Sequence, residues 1–98
     1  MTATDRVLTL HPGGKQGVRI ERSKYDGMVA ALLAVVPEDP PGVPFQGLAD
    51  RVRPHLPRDV YTAGVSVSWY LTTVKLDLEA RGALRRLKGS PQRLVRAR

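Results

Sequence analysis

No cysteine occurs among the 98 residues, which excludes disulfides, thiolate catalysis and cysteine-ligated zinc. Histidine is nearly absent too: His11 and His55 stand far apart, so no histidine cluster suggests a metal centre, and neither a metal nor a cofactor is expected. Each reads as a surface or helix-end residue. No long apolar run exists. The longest, Met28 to Val36, stops at Pro37, well short of the roughly 20 residues a membrane helix needs. The start, Met1-Thr2-Ala3-Thr4-Asp5-Arg6, lacks the charged-then-apolar layout of a signal peptide. A soluble, cytoplasmic protein is the expectation.

The remaining scarcity is local. The last 18 residues contain no acid. They carry Arg81, Arg85, Arg86, Lys88, Arg93, Arg96 and Arg98, while residues 1–80 hold nine basic and nine acidic side chains and are neutral. The whole formal net charge of +7 therefore sits at one end. A neutral body with a cationic end is an electrostatically directional object, and polyanions are its usual targets.

The chain is long enough for one domain with one core. Residues 6–10 and 17–21 are short runs of strand formers, separated by His11-Pro12-Gly13-Gly14-Lys15-Gln16, and predict an arm or hairpin over residues 1–22. Residues 23–98 read as the main domain. Ser23-x-x-Asp26 approximates a capping box that opens a first helix, with Tyr25, Met28, Val29, Leu32, Leu33 and Val36 at helical spacing. Pro37 ends it, and Glu38-Asp39-Pro40-Pro41-Gly42 is a stiff linker. A second helix is predicted from about Pro44 to Leu56, with Pro44 in its first turn and Pro54 kinking or ending it. A third, from about Val65 to Arg81, carries the stripe Val67, Leu71, Val74 and Leu78, and Gly82 suits its C-terminal cap. Residues 83–87 and 92–95 then predict two strands around the turn Lys88-Gly89-Ser90-Pro91. Three helices followed by a two-stranded hairpin, with a strand pair in front, give the α+β order of a winged helix-turn-helix.

The segment Leu71-x-x-Val74-x-x-x-Leu78-Glu79-x-x-Gly82-Ala83-Leu84 resembles the third helix and first wing strand of bacterial winged-helix regulators. A second set of motifs covers most of residues 20–96: Lys24-Tyr25, His55-Leu56-Pro57, Gly64-x-x-x-x-Trp69, Val74-x-Leu76-Asp77-Leu78-Glu79-Ala80-x-Gly82 and Pro91-x-Arg93-Leu94. These are similar to a small uncharacterised bacterial family of about this length. The resemblance implies a winged-helix-like fold and carries over no catalytic residue.

The candidate site follows from the charge. Arg85, Arg86, Lys88 and Arg93 fall on or beside the wing, where arginine's permanent charge and planar donor fork suit phosphate or a minor groove. Arg81 and Arg96 flank them. The third helix is the expected groove reader, and helical angle places Ser68, Thr72, Lys75 and Glu79 outward. That set lacks Arg, Asn and Gln, the side chains that make bidentate base contacts, so it reads little sequence. Glu79 pairs naturally with Lys75 one turn earlier. Asp77 and Glu79, two apart on a helix, point in different directions and suit structural ion pairs, not a catalytic dyad. Trp69, Thr73, Leu76 and Ala80 form a second stripe, expected to be covered by the arm through Val18 and Ile20 or by a second subunit in a homodimer. Gly13-Gly14-Lys15 lacks the rest of a phosphate loop and reads as a turn. The leading expectation is a DNA-binding module, regulatory in role. The alternatives are a protein-interaction module docking on an acidic partner, and an RNA binder. No nucleophile, base and orienting group share a motif, so an enzyme is not expected.

Overall fold

Strand formers at both ends of the arm do pair. In the computed structural model, which describes residues 5–97, β1 (Arg6–Leu8) and β2 (Arg19–Glu21) make an antiparallel hairpin with Val7 opposite Ile20. The first four residues of the predicted arm, and Arg98 at the end of the basic run, lie outside the described residues. Ile20 turns inward at 4 % exposure and joins the main core.

β2 runs straight into α1 (Arg22–Val35). The Arg22 N–H donates to the Asp5 carbonyl at 2.8 Å, so the strand pairing itself starts the helix. The expected Ser23–Asp26 capping box is therefore not used: Glu21 is the N-cap, and no side chain caps it. Met28, Ala31 and Leu32 face inward along the predicted stripe, and the helix stops before Pro37.

The next segment departs from the sequence reading. Val43 and Pro44 form a short strand, β3, instead of opening a helix. Its pairing with the C-terminal strand requires a close approach at Gly42, where φ is +69° and a Cβ would stand 2.2 Å from the Leu94 carbonyl oxygen. A proline, which lacks an N–H, is tolerated there because β3 lies on the edge of its sheet. Helix α2 begins only at Leu48 and ends at Val52, passing into a single 3₁₀ turn over Arg53–His55. Pro54, early in that turn, ends the α-helical hydrogen bonding as expected.

Helix α3 (Val67–Arg81) matches its prediction closely. Ser66 caps it by accepting the Trp69 N–H at 3.1 Å. Gly82 takes the left-handed conformation at φ +82°, and the Ala83 N–H closes back onto the Leu78 carbonyl at 2.8 Å. Strands β4 (Leu84–Leu87) and β5 (Arg93–Arg96) follow, and the second sheet has the order β3-β5-β4, antiparallel throughout.

One core joins these parts. Leu71, Val74 and Leu78 of α3 cluster with Met28 and Leu32 of α1, Leu48 and Val52 of α2, and Leu84 and Leu94 of the sheet. Burying each such side chain contributes roughly 1.5–3 kcal/mol. The radius of gyration, 13.3 Å, is close to the value of about 13 Å expected for a folded chain of this length. The result is a compact α+β domain of three helices and two small antiparallel sheets. Among the described residues, no helix is long and apolar enough to cross a membrane.

Candidate nucleic-acid interface

Strand alternation divides the cations of the C-terminal hairpin between two faces. Residues directly opposite in an antiparallel pair share a face. The pairs Leu84–Arg96 and Arg86–Leu94 fall on the face that holds buried Leu84 and Leu94, and Arg85–Val95 and Leu87–Arg93 on the other, where Val95 is buried as well.

The cations on the core-side face are already engaged. Arg96 donates through Nε to the Val36 carbonyl at 3.0 Å and through Nη1 to Glu38 at 2.8 Å, tying β5 to the end of α1. Arg86 reaches Glu79 of α3 at 3.8 Å. Arg81, at the end of α3, donates through Nε to both oxygens of Asp77 at 2.9 Å. That bond raises the guanidinium's pKa further above its ordinary value.

The opposite face is different. Arg85 is exposed, Arg93 is half-buried, and the two are diagonal neighbours across the hairpin. Lys88 stands exposed in the turn beyond them. Among the described residues, none of these three has an ion-pair partner. The seven cations of the tail thus resolve into three unpaired ones on one face and tip (Arg85, Lys88, Arg93), three engaged internally (Arg81, Arg86, Arg96), and Arg98 outside the described residues.

On α3, Ser68 and Thr72 are exposed as helical angle predicts. Lys75 is not, and its outward placement is corrected: it is 3 % exposed. Its ammonium pairs with Glu79 at 2.7 Å and lies 5.1 Å from the centre of the Phe45 ring. The paired carboxylate and the ring let the long stem lie inward. The exposed residues of α3 are therefore Ser68, Trp69 and Thr72 in its first two turns and Arg81 at its end.

The second stripe is only partly covered. Ile20 goes into the core, not onto Trp69, and Trp69 remains 47 % exposed. The hairpin loop does run alongside Trp69, Thr73 and Leu76, with Leu10 and Val18 lining the same groove.

A polar centre lies beneath this loop, built on Asp77, for which the sequence suggested a structural ion pair. Asp77 is fully buried and accepts the Tyr25 hydroxyl at 2.5 Å, the Leu10 N–H at 2.9 Å and the Arg81 guanidinium. Burial, then the bond to Asp77, pushes the Tyr25 hydroxyl up to about 12. Nearby, the Tyr61 hydroxyl donates to the Lys24 carbonyl at 2.6 Å, and burial followed by the neighbouring Tyr70 raises its pKa as well. An acid set between Leu76 and Leu78, with Arg81 one turn on, was the available sequence signal for Asp77. Its partners Tyr25 and Leu10 carried none.

Fold and site together define a small α+β domain with a cationic hairpin at its C-terminal end. Residues 6–94 match the model of a family of unknown function (DUF6958), and the chain belongs to that family. Comparison with curated proteins and with solved structures gives no match.

Proposed function

We propose that the protein is a winged helix-turn-helix module that grips the backbone of duplex DNA through the outer face and tip of the β4–β5 hairpin. The observation that carries this reading is the segregation of charge: among the described residues, Arg85 and Arg93 on the outer face and Lys88 at the tip have no ion-pair partner, while Arg96 is bonded to Val36 and Glu38 and Arg86 lies 3.8 Å from Glu79. The order α1-β3-α2-α3-β4-β5, with β3 pairing β5 in a three-stranded sheet, supports a winged-helix arrangement in which β4–β5 is the wing. Arginines on a wing suit phosphates, which position a protein without reading bases. The exposed Ser68 and Thr72 offer α3 little discrimination between bases, so the module binds many sequences with similar strength. A regulatory role would then depend on where the module is delivered.

The bareness of α3 also favours a second reading, a protein-interaction module whose cationic hairpin docks on an acidic protein surface. RNA shares the electrostatics. Fluorescence anisotropy with two unrelated DNA duplexes, an RNA duplex and an acidic polypeptide, across a salt series, separates the three. Comparable salt-dependent binding to both DNA duplexes, weaker for the others, supports the proposal. No binding to DNA at low salt overturns it.

A further inference from the structure

Among the described residues five large apolar side chains are conspicuously exposed, and three of them, Leu10, Val18 and Trp69, line a single groove between the hairpin loop and α3. One wall is braced by a chain of aromatic contacts. The Trp69 ring meets Tyr70 edge-on at 4.9 Å, Tyr70 meets Tyr61 edge-on at 5.7 Å, and the Tyr61 hydroxyl is anchored on the Lys24 carbonyl. A wall already held in place costs a ligand little ordering entropy. The groove encloses about 230 Å³. An apolar cavity of about 150 Å³ is enough to admit a benzene ring, so one aromatic ring system fits.

Thr9, Gln16 and Thr73 also line the groove, and its cationic groups lie at one end. Past Leu10 and His11 the groove opens into a recess of about 450 Å³ lined by Lys15 and Glu79. His11 Nδ1 accepts the Gly13 N–H at 2.9 Å. An accepting Nδ1 carries no proton, so the imidazole's N–H is on Nε2. Among the described residues, neither that donor nor the Lys15 ammonium has a partner. Glu79 does not cancel them, because Lys75 and Arg86 already offset its charge.

We propose that this groove binds a small aromatic carboxylate, its ring against Trp69 and Leu76 and its carboxylate at His11 Nε2–H and Lys15. An apolar slot with a few convergent polar groups is the common form of a small-molecule site. The charge at its end selects an anion, and the aromatic wall selects a planar ring. The proposal stands apart from the nucleic-acid reading, since neither the groove nor its cations belong to the hairpin face.

The single tryptophan makes the test direct. In ¹⁵N-labelled full-length protein, Trp69 supplies the one indole N–H signal. Titration with 2-naphthoate should shift that signal and the amides of His11, Lys15 and Leu76 saturably, with a midpoint of roughly 0.1–1 mM. The uncharged 2-naphthalenemethanol should bind at least about fivefold more weakly. Lys15→Gln, at an exposed loop position, should weaken naphthoate about fivefold and leave the alcohol unchanged. No saturation by about 5 mM, equal binding of acid and alcohol, or an unaffected Lys15→Gln variant overturns the proposal. So do shifts confined to Arg85, Lys88 and Arg93. Indole shifts that follow protein concentration instead of added carboxylate would assign the groove to a second copy of the chain and overturn it too.

Discussion

The Asp77 carboxylate holds the backbone N–H of Leu10, 67 residues earlier, at 2.9 Å. A fully buried side chain near the end of α3 thus fastens the N-terminal hairpin to the domain, and the same two oxygens bind Tyr25 and Arg81. Asp77→Ala removes all three interactions and leaves the Leu10 N–H without its acceptor. Removing one partner of a buried charge pair costs about 3–5 kcal/mol. Arg81 is 42 % exposed and regains water, so the expected loss is roughly 2–4 kcal/mol. Urea denaturation measures it. Amide exchange should quicken most at residues 6–10 and 18–21. Asp77→Asn, which keeps an acceptor for Leu10, should recover part of the stability. A loss for Asp77→Ala below about 1 kcal/mol would show that the hairpin is held by other contacts.

The tyrosine in this cluster gives the fold an alkaline limit. Tyr25 titrates near 10 in an unfolded chain and is pushed up to about 12 here by burial and by Asp77. Because the raised value favours the neutral phenol in the folded state, its stabilising contribution is complete below pH 10. It is lost as pH rises from about 10 to about 12, where the unfolded chain releases the proton first. Tyr61, also raised, adds in the same direction. The melting temperature should therefore fall across this window. Tyr25→Phe should make the fall shallower without abolishing it, because Tyr61 remains. An unchanged pH profile in Tyr25→Phe would remove Tyr25 from the account.

The core prediction is simpler. Leu78 is 4 % exposed and Trp69 is 47 % exposed, although both lie on apolar stripes of α3. Leu78→Ala should cost roughly 2–5 kcal/mol. Trp69→Ala, which loses mainly an edge-on contact with Tyr70, should cost about 1 kcal/mol. Chemical denaturation of the two variants side by side checks the order, and a reversed order would mean that the second stripe, not the first, faces the core.

What could be read from the sequence, and what could not, divides by range. α3, its Gly82 cap and the β4–β5 hairpin rest on periodicity and turn chemistry within a few residues, and they stand nearly where they were placed. β3 is two residues long, contains a proline, and exists because β5 is there to pair with it. No local pattern announces such a strand, and Pro44 mimics a helix start just as well. The Ser23 capping box fails for the same reason, since a strand pairing 17 residues earlier fixes where α1 begins. The sequence reading put Lys75 outward by helical angle, but Glu79 and the Phe45 ring accommodate it inside. The charge asymmetry of the tail was fully legible. Its division into engaged and unpaired cations was not, because that depends on strand register and on acids at positions 38, 77 and 79.

That division makes the last prediction sharper than net charge alone would. If Arg85, Lys88 and Arg93 each neutralise one phosphate, counterion release gives a slope of log affinity against log salt near −2.7, from about −0.9 per contact. Replacing all three with Ala should bring the slope close to zero and weaken binding to unrelated duplexes about equally, since phosphate contacts carry no sequence information. Arg96→Ala should behave in the opposite way. It breaks bonds to Val36 and Glu38 inside the fold, so it should lower stability while leaving the salt slope unchanged wherever the protein remains folded. Both variants remove arginine charge from the same hairpin, so a general cationic effect would reduce the slope in each in proportion to charge removed. A slope reduced in Arg96→Ala as much per charge as in the triple variant would refute the one-face interface, and an unchanged slope in the triple variant would move the polyanion contact off the hairpin altogether.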